Sequence, residues 1–231
     1  MKKTVVIHQP DFLPYLGFFH RLLHADLLVL LDHVQFVHSN RSWTHRDKIK
    51  TPQGAKWITL SVEKAPRDTP INQIKLSQET DWKTDNLNLI QEHYRRAPYY
   101  AEVFPAIERL YAYECTRLVD FTIKSLEVLI SLFDIPIPIR LASALDAQGS
   151  KNDLLVDILK KVEASHYLSG IGAKAYFEPE TFRTAGIEVV WQYFSHPSYP
   201  QLYGDFVGNL SSIDLLFNCG IAKSRTILRS C

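Results

Sequence analysis

The chain is poor in everything that would announce a metal, a membrane or a nucleic acid. Only three of its 231 residues are cysteine, Cys115, Cys219 and Cys231. An odd number without ligand spacing implies neither a disulfide framework nor a zinc site, so free thiols in a reduced, cytoplasmic setting are expected. The nine histidines are not joined by cysteines at metal-ligand spacing, and no metal is expected. Charge of one sign is also missing: 26 Lys and Arg against 25 Asp and Glu leave a formal net charge of +1. Duplex binding usually shows as a whole basic face, so nucleic acid is not an expected partner. No segment reaches the roughly 18 apolar residues of a spanning helix. Lys2 and Lys3 followed by Val5, Val6 and Ile7 look like the start of a leader, but His8, Gln9 and Pro10 cut the apolar run short. Internal repeats, low-complexity tracts, a G-x-S-x-G elbow, a P-loop and a dinucleotide fingerprint are absent as well.

What is present is alternation of strand and helix. Thr4 to Ile7 and Leu27 to Leu31 read as buried strands, separated by a helix that begins near Pro14 and Gly17 and reaches His24. A basic, aromatic loop follows over residues 39–50, then the turn Pro52-Gln53-Gly54 and a strand over Lys56 to Val62. Ile71 to Leu76 suggests a short partner strand. From about 81 to 133 the period becomes helical, interrupted by Pro98 and Pro105, and is read as a helical insertion. Strands over Ile135 to Leu141, His166 to Leu168 and Ile187 to Phe194 enclose a helix capped by Ser150, and Ser211 to Phe217 closes as a helix stopped by Gly220. The expectation is one α/β domain over residues 1–231, with a doubly wound, mainly parallel sheet of roughly five to seven strands, Rossmann-like in type.

In such a sheet ligands bind where strand C-termini open into loops. His8 and Gln9 end the first strand there, and His8 is the leading general-base candidate because imidazole titrates near neutrality. Asp32 and Gln35 end the next strand, where Asp32 would orient His8 or hold a substrate amine; a turn-capping role is the structural alternative. Arg41, Arg46 and Lys48, with Lys50, would hold phosphates, and Trp43 would stack on a base or sugar; a solvated basic loop is the alternative. Ser169, Gly170, Gly172 and Lys174 follow a strand, where glycines let backbone N–H groups approach an anion, as an alternative to a plain turn. His196, Tyr199 and Gln201 lie in a loop that either closes over the site or only connects. Asp214 and Asn218, four apart on one helix face, are read as structural.

Taken together, Ile7-His8-Gln9-Pro10, Leu13-Pro14-Tyr15-Leu16-Gly17 and Asp32-His33-Val34-Gln35-Phe36 resemble the N-terminal signature of the WbqC-like proteins. Tyr167-Leu168-Ser169-Gly170 with Gly172, Ala173 and Tyr176 resembles that family's middle motif, and Tyr199, Gln201 and Leu210 to Asn218 its C-terminal one. The resemblance spans nearly the full chain. It implies a bacterial protein of surface-polysaccharide precursor biosynthesis and adds Tyr15 to the substrate-binding candidates. The function expected from it is a transferase passing an acyl or aminoacyl group, of unidentified donor, to an amino sugar carried on a nucleotide. The expected partners are a nucleotide or nucleotide sugar and, optionally, a carrier protein, with no cofactor that the sequence shows. The opening strand-turn-helix-strand is also similar to the nucleotidyltransferase and class I synthetase superfamily. There Tyr15-Leu16-Gly17-Phe18 stands in place of the histidine pair used for adenylyl transfer. Nucleotidyl transfer and a non-catalytic nucleotide- or carrier-binding role are the alternatives.

Overall fold

The structure is a computed structural model and describes residues 2–38 and 42–231. Strands β1 (Thr4–His8) and β2 (Leu27–Leu30) are apolar on both faces, which suits central strands of a parallel sheet covered by helices on either side. They are joined by α1 (Leu16–Leu22), and β5 (Ile139–Leu141), β6 (His166–Gly170) and β7 (Glu188–Gln192) complete the sheet. Its order is β5-β2-β1-β6-β7, and every pairing is parallel. The chain thus moves outward from β1 on one side, then returns to lay β6 and β7 on the other. The α/β doubly wound fold expected from the sequence is present, and its direction of winding switches between β1 and β6.

Side-chain alternation along the strands divides the core. Val5 and Ile7, with Leu27 and Val29, pack against α5 (Lys151–Lys161) and α6 (Pro179–Thr184) through Leu154, Ile158, Leu159 and Phe182. Val6, Leu28 and Leu30 face the other way, onto α1 and α4 (Leu118–Phe133). Between β2 and β5 also lie a separate antiparallel hairpin, β3 (Arg46–Thr51) and β4 (Gly54–Thr59), and the helices α2 (Trp82–Tyr94) and α3 (Tyr100–Tyr111). The chain ends with α7 (Ile213–Cys219) and α8 (Ile221–Arg229).

Several local expectations are corrected. The basic stretch is not all loop: Arg46, Lys48 and Lys50 lie on β3, because the turn at Pro52-Gln53-Gly54, with Gly54 at φ +102, folds β4 back onto it. Ile71–Gln73 is a 3-10 turn rather than a strand, and Leu76 makes only an isolated bridge to Val62. Pro105 does not interrupt a helix but sits inside α3, whose Val103, Ile107 and Leu110 are buried and hold it in place. Ser150 stands at the N-cap of α5, yet its side chain makes no capping bond. The strand expected over Ile135 to Leu141 shrinks to β5, since the prolines at its start carry no ladder donors. No helix of the described residues is long and apolar enough to cross a membrane.

Candidate functional site

At the winding switch the tips of β1 and β6 splay apart, and a cavity of about 510 Å³ opens beside them. Gln9, Tyr167 and Ser169 line its sheet side; Asn152 and Lys151 at the start of α5 and Tyr176 line the rest. This is where an open parallel sheet receives a ligand, because backbone groups there are not consumed by the ladder. Of the sequence candidates, the fold brings His8, Gln9, Ser169 and Gly170 together at this switch.

His8 ends β1 with its ring edge-on to Phe18, ring centroids 5.3 Å apart. Its Nδ1 lies 2.9 Å from the Gln9 carbonyl and 3.5 Å from a carboxylate oxygen of Asp11. A carbonyl can only accept, so Nδ1 carries the proton and Nε2 the lone pair. Burial and, secondarily, the charge of Arg21 hold the imidazole down to about 3, so His8 is neutral at physiological pH. Asp11 is pushed the other way: burial raises it to about 7 against the pull of Arg21. Asp47 on β3 is also held well above the usual carboxylate range, chiefly by burial, with Asp11 adding to the effect. The group that changes charge near neutral pH is therefore Asp11, not His8.

Arg21, near the end of α1, is the second residue the sequence reading missed. Only 6% of it is exposed. Gly170 permits its approach: a Cβ at that position would stand 3.1 Å from the guanidinium Nη1. As an arginine in the last turn of an amphipathic helix, it reads in the sequence as a solvated C-terminal charge.

Other candidates are placed elsewhere. Asp32 is buried and accepts from the Ser143 backbone N–H at 2.9 Å, from the Ser143 hydroxyl and from Asn72 Nδ2 at 3.3 Å. It ties the tip of β2 to the 3-10 turn after β5 rather than to His8. Gln35 is exposed and donates to the Arg67 carbonyl at 2.7 Å. Tyr15 packs its ring over Gly17 and edge-on to Phe194. Arg41 lies outside the described residues. On the hairpin, Trp43 and Trp57 are 5.3 Å apart, the Arg46 guanidinium lies 3.9 Å over Trp57, and Lys48 sits above both rings. The Trp43 segment is linked to the β1 tip by Thr44, whose hydroxyl donates to the Gln9 side chain at 3.4 Å. Gly172 and Lys174 are exposed on the 3-10 turn Ile171–Tyr176, with the Lys174 ammonium 5.2 Å over Trp191.

Tyr199 and Gln201 turn inward. Tyr199 Oη at 2.9 Å and Gln201 Nε2 at 2.7 Å donate to one carboxylate oxygen of Asp214, and Tyr94 Oη donates to the other at 2.7 Å. Lys50, also buried, donates to Gln201 Oε1 at 3.0 Å. His196 stacks beside Tyr199 and Phe206, with Nδ1 donating to the Pro197 carbonyl at 3.0 Å. Tyr94, Tyr199, Gln201 and Lys50 form a hydrogen-bonded hub around Asp214, joining the hairpin, α2 and α7. One H-x-x-x-H spacing does occur, at His20 and His24, but it lacks the makings of a metal site. His20 accepts from Gln192 Nε2 at 3.0 Å and donates to the Cys231 carbonyl at 3.3 Å. Among the described residues no group of three or more His, Cys, Asp or Glu could hold a metal ion.

The family model described as "WbqC-like protein family" matches residues 9–226. The "Uncharacterized protein Rv1507c" of Mycobacterium tuberculosis (strain ATCC 25618 / H37Rv) is 30% identical over 235 residues, covering 100% of this chain and 99% of that protein. No solved structure matches the chain.

Proposed function

This chain belongs to the WbqC-like protein family, and from that premise and the geometry of the β1–β6 crevice we propose a transferase acting on a nucleotide-linked amino sugar in the making of bacterial surface polysaccharide. The observation that carries this reading is the close pair His8 and Asp11, in which burial raises Asp11 to about 7, at the β1 tip whose next residue, Gln9, lines the cavity at the winding switch. The cavity takes the nucleotide, with Gln9, Ser169 and Asn152 offering hydrogen bonds and Lys151 a charge at the start of α5.

The proposed step moves an acyl or aminoacyl group. The sugar amine nitrogen bonds to the acyl carbon as the bond from that carbon to its leaving group breaks. The amine proton passes to Nε2 of His8 while the Nδ1 proton passes to Asp11, so the proton ends on the carboxylate. The leaving group departs with the electron pair of the broken bond. Such relay suits a histidine whose own proton affinity is low, because the proton does not stay on it.

The binding-only reading is favoured by one feature, the depressed proton affinity of His8. The two are separated by a thermal-shift screen against nucleotides, nucleotide sugars, coenzyme A thioesters and ATP, followed by turnover assays on the hits. A ligand present at about 100 times its Kd stabilises by roughly 2.7 kcal/mol. Transfer proposed here requires turnover that falls in Asp11→Asn with binding retained. Tight binding without turnover for any donor would replace it with the accessory role, and an ATP hit with pyrophosphate release would replace it with adenylyl transfer.

A further inference from the structure

A buried charge is costly unless it is paired, and buried arginines are normally found bidentate to a carboxylate. Arg21 departs from this. Its Nε is shielded from solvent and meets no hydrogen-bond acceptor, and among the described residues its guanidinium forms no hydrogen bond or ion pair. The guanidinium carbon lies 6.0 Å from the centroid of the Phe18 ring. Nη1 abuts the backbone of Gly170, where any side chain would crowd it. The cation is thus held near the tips of β1 and β6, at the switch where the sheet opens, with no hydrogen-bond or ion-pair partner among the described residues.

Its neighbours do not supply the missing charge. His8 is neutral, and Asp11, whose carboxyl burial raises to about 7, stands within electrostatic range without forming an ion pair to Arg21. A guanidinium shielded at Nε and unpaired among the described residues, between strand tips whose Gln9 and Ser169 line the cavity, is preorganised for an oxyanion that arrives from outside.

We propose that Arg21 is the anion anchor of the crevice, binding a phosphoryl or carboxylate oxyanion of the incoming ligand against the backbone at Gly170. The inference rests on the β1–β6 crevice being the ligand site, as proposed above, but it does not require that the ligand be turned over. It names a residue outside the basic stretch of residues 41–50 as the first electrostatic contact. It also assigns Gly170 a role: the bare backbone leaves room for the guanidinium.

The test reads the Arg21 Nε–H resonance of ¹⁵N-labelled full-length protein, identified by its disappearance in Arg21→Lys. The protein is titrated with pyrophosphate, inorganic phosphate and acetate, each against sodium chloride at equal ionic strength. Thermal unfolding of wild type, Arg21→Met and Arg21→Gln runs in parallel. The expected result is a resonance that moves with at least one oxyanion and not with chloride. Pyrophosphate in preference to acetate assigns a phosphoryl group, and the reverse a carboxylate. In the unfolding series Arg21→Met is expected to melt higher than wild type without ligand, because an uncompensated charge has been removed while the packing stem remains. Its oxyanion response should fall at least about tenfold, with Arg21→Gln behaving alike.

A resonance indifferent to every oxyanion would overturn the proposal. So would variants that melt lower without ligand yet keep the full response, which would make Arg21 structural. If both variants fold poorly, the wild-type resonance decides alone. Failure of this inference is separable from failure of the proposed activity. An Arg21 that answers to pyrophosphate while no nucleotide or nucleotide sugar binds would keep the anchor and remove the transferase. Equal nucleotide-sugar binding by wild type and Arg21→Gln would do the opposite.

Discussion

Asp11 carries the clearest consequence at the scale of single residues. Its carboxyl is held at about 7 in the folded protein against an ordinary 3.8. Below pH 4 folded and unfolded chains both hold the proton, and Asp11 contributes no pH dependence. Between about 4 and 7 only the folded chain keeps it, so stability falls as pH rises through that window. His8 has the opposite sign: with a folded value of about 3 against 6.5, it adds stability as pH rises from about 3 to 6.5. The two slopes oppose each other in the wild type. Asp11→Asn should therefore gain stability steeply from pH 4 to 6.5 and exceed wild type above pH 7 by, on the order of, a few kcal/mol. Urea unfolding at pH 4.0, 6.0 and 8.0 checks this, and parallel pH profiles would refute it. Gly17 offers a steric test. A Cβ there would come within 2.4 Å of the Tyr15 ring, so Gly17→Ala is expected to cost about 1–3 kcal/mol, and less in a Tyr15→Ala background. A double-mutant cycle by chemical denaturation reads that coupling, and strict additivity would show that the ring swings away freely.

The hairpin and the α7–α8 junction illustrate the scale of elements. β3 and β4 belong to a sheet of their own, and their shared outer face is an aromatic and cationic ladder of Trp43, Trp57, Arg46 and Lys48. Arg46→Ala should cost about 0.5–2 kcal/mol and shift the tryptophan fluorescence, since the guanidinium over Trp57 is lost. An unchanged emission spectrum would mean the stack is not populated in solution. At the junction, Gly220 has φ +77 and a Cβ there would lie 2.6 Å from the Tyr99 ring. Both backbone and space demand glycine, so Gly220→Ala should destabilise by about 2 kcal/mol or more. Much of this level was legible beforehand. The apolar runs of β1 and β2 and the turn at Pro52-Gln53-Gly54 read directly from residue type. The pairing of β4 with β3 did not, because a strand's own pattern does not say which neighbour it will meet. Nor did the survival of α3 through Pro105, where packing outweighs propensity.

At the scale of the whole molecule, the order β5-β2-β1-β6-β7 decides where the chemistry sits. Residues over 160 positions apart, His8 and Gly170, end neighbouring strands, and the long segment between β2 and β5 returns to carry Thr44 to the β1 tip. Hydrogen exchange should follow this plan: amides of β1 and β2, buried centrally, protect longest, while the tips around Gln9 and Ser169 slow only when a ligand fills the crevice. Mass-spectrometric exchange with and without a screened ligand would show it, and protection centred instead on the hairpin would relocate the site.

By itself the sequence determined the family, the α/β alternation and the polar character of the strand tips, because these are local: residue type, period and motif order. Tertiary structure alone decided which polar groups meet. Asp32 was visible as a strand-end carboxylate, yet its partner Ser143 lies far along the chain and takes it away from His8. Tyr199 and Gln201 were visible as loop residues, yet the burial of Asp214 turns them inward. Arg21 and Asp11 were not among the residues the sequence singled out. The raised proton affinity of Asp11 and the burial of Arg21 without an ion pair are set by the low-dielectric surroundings that helices and strands distant in sequence build around them, and no local pattern encodes that.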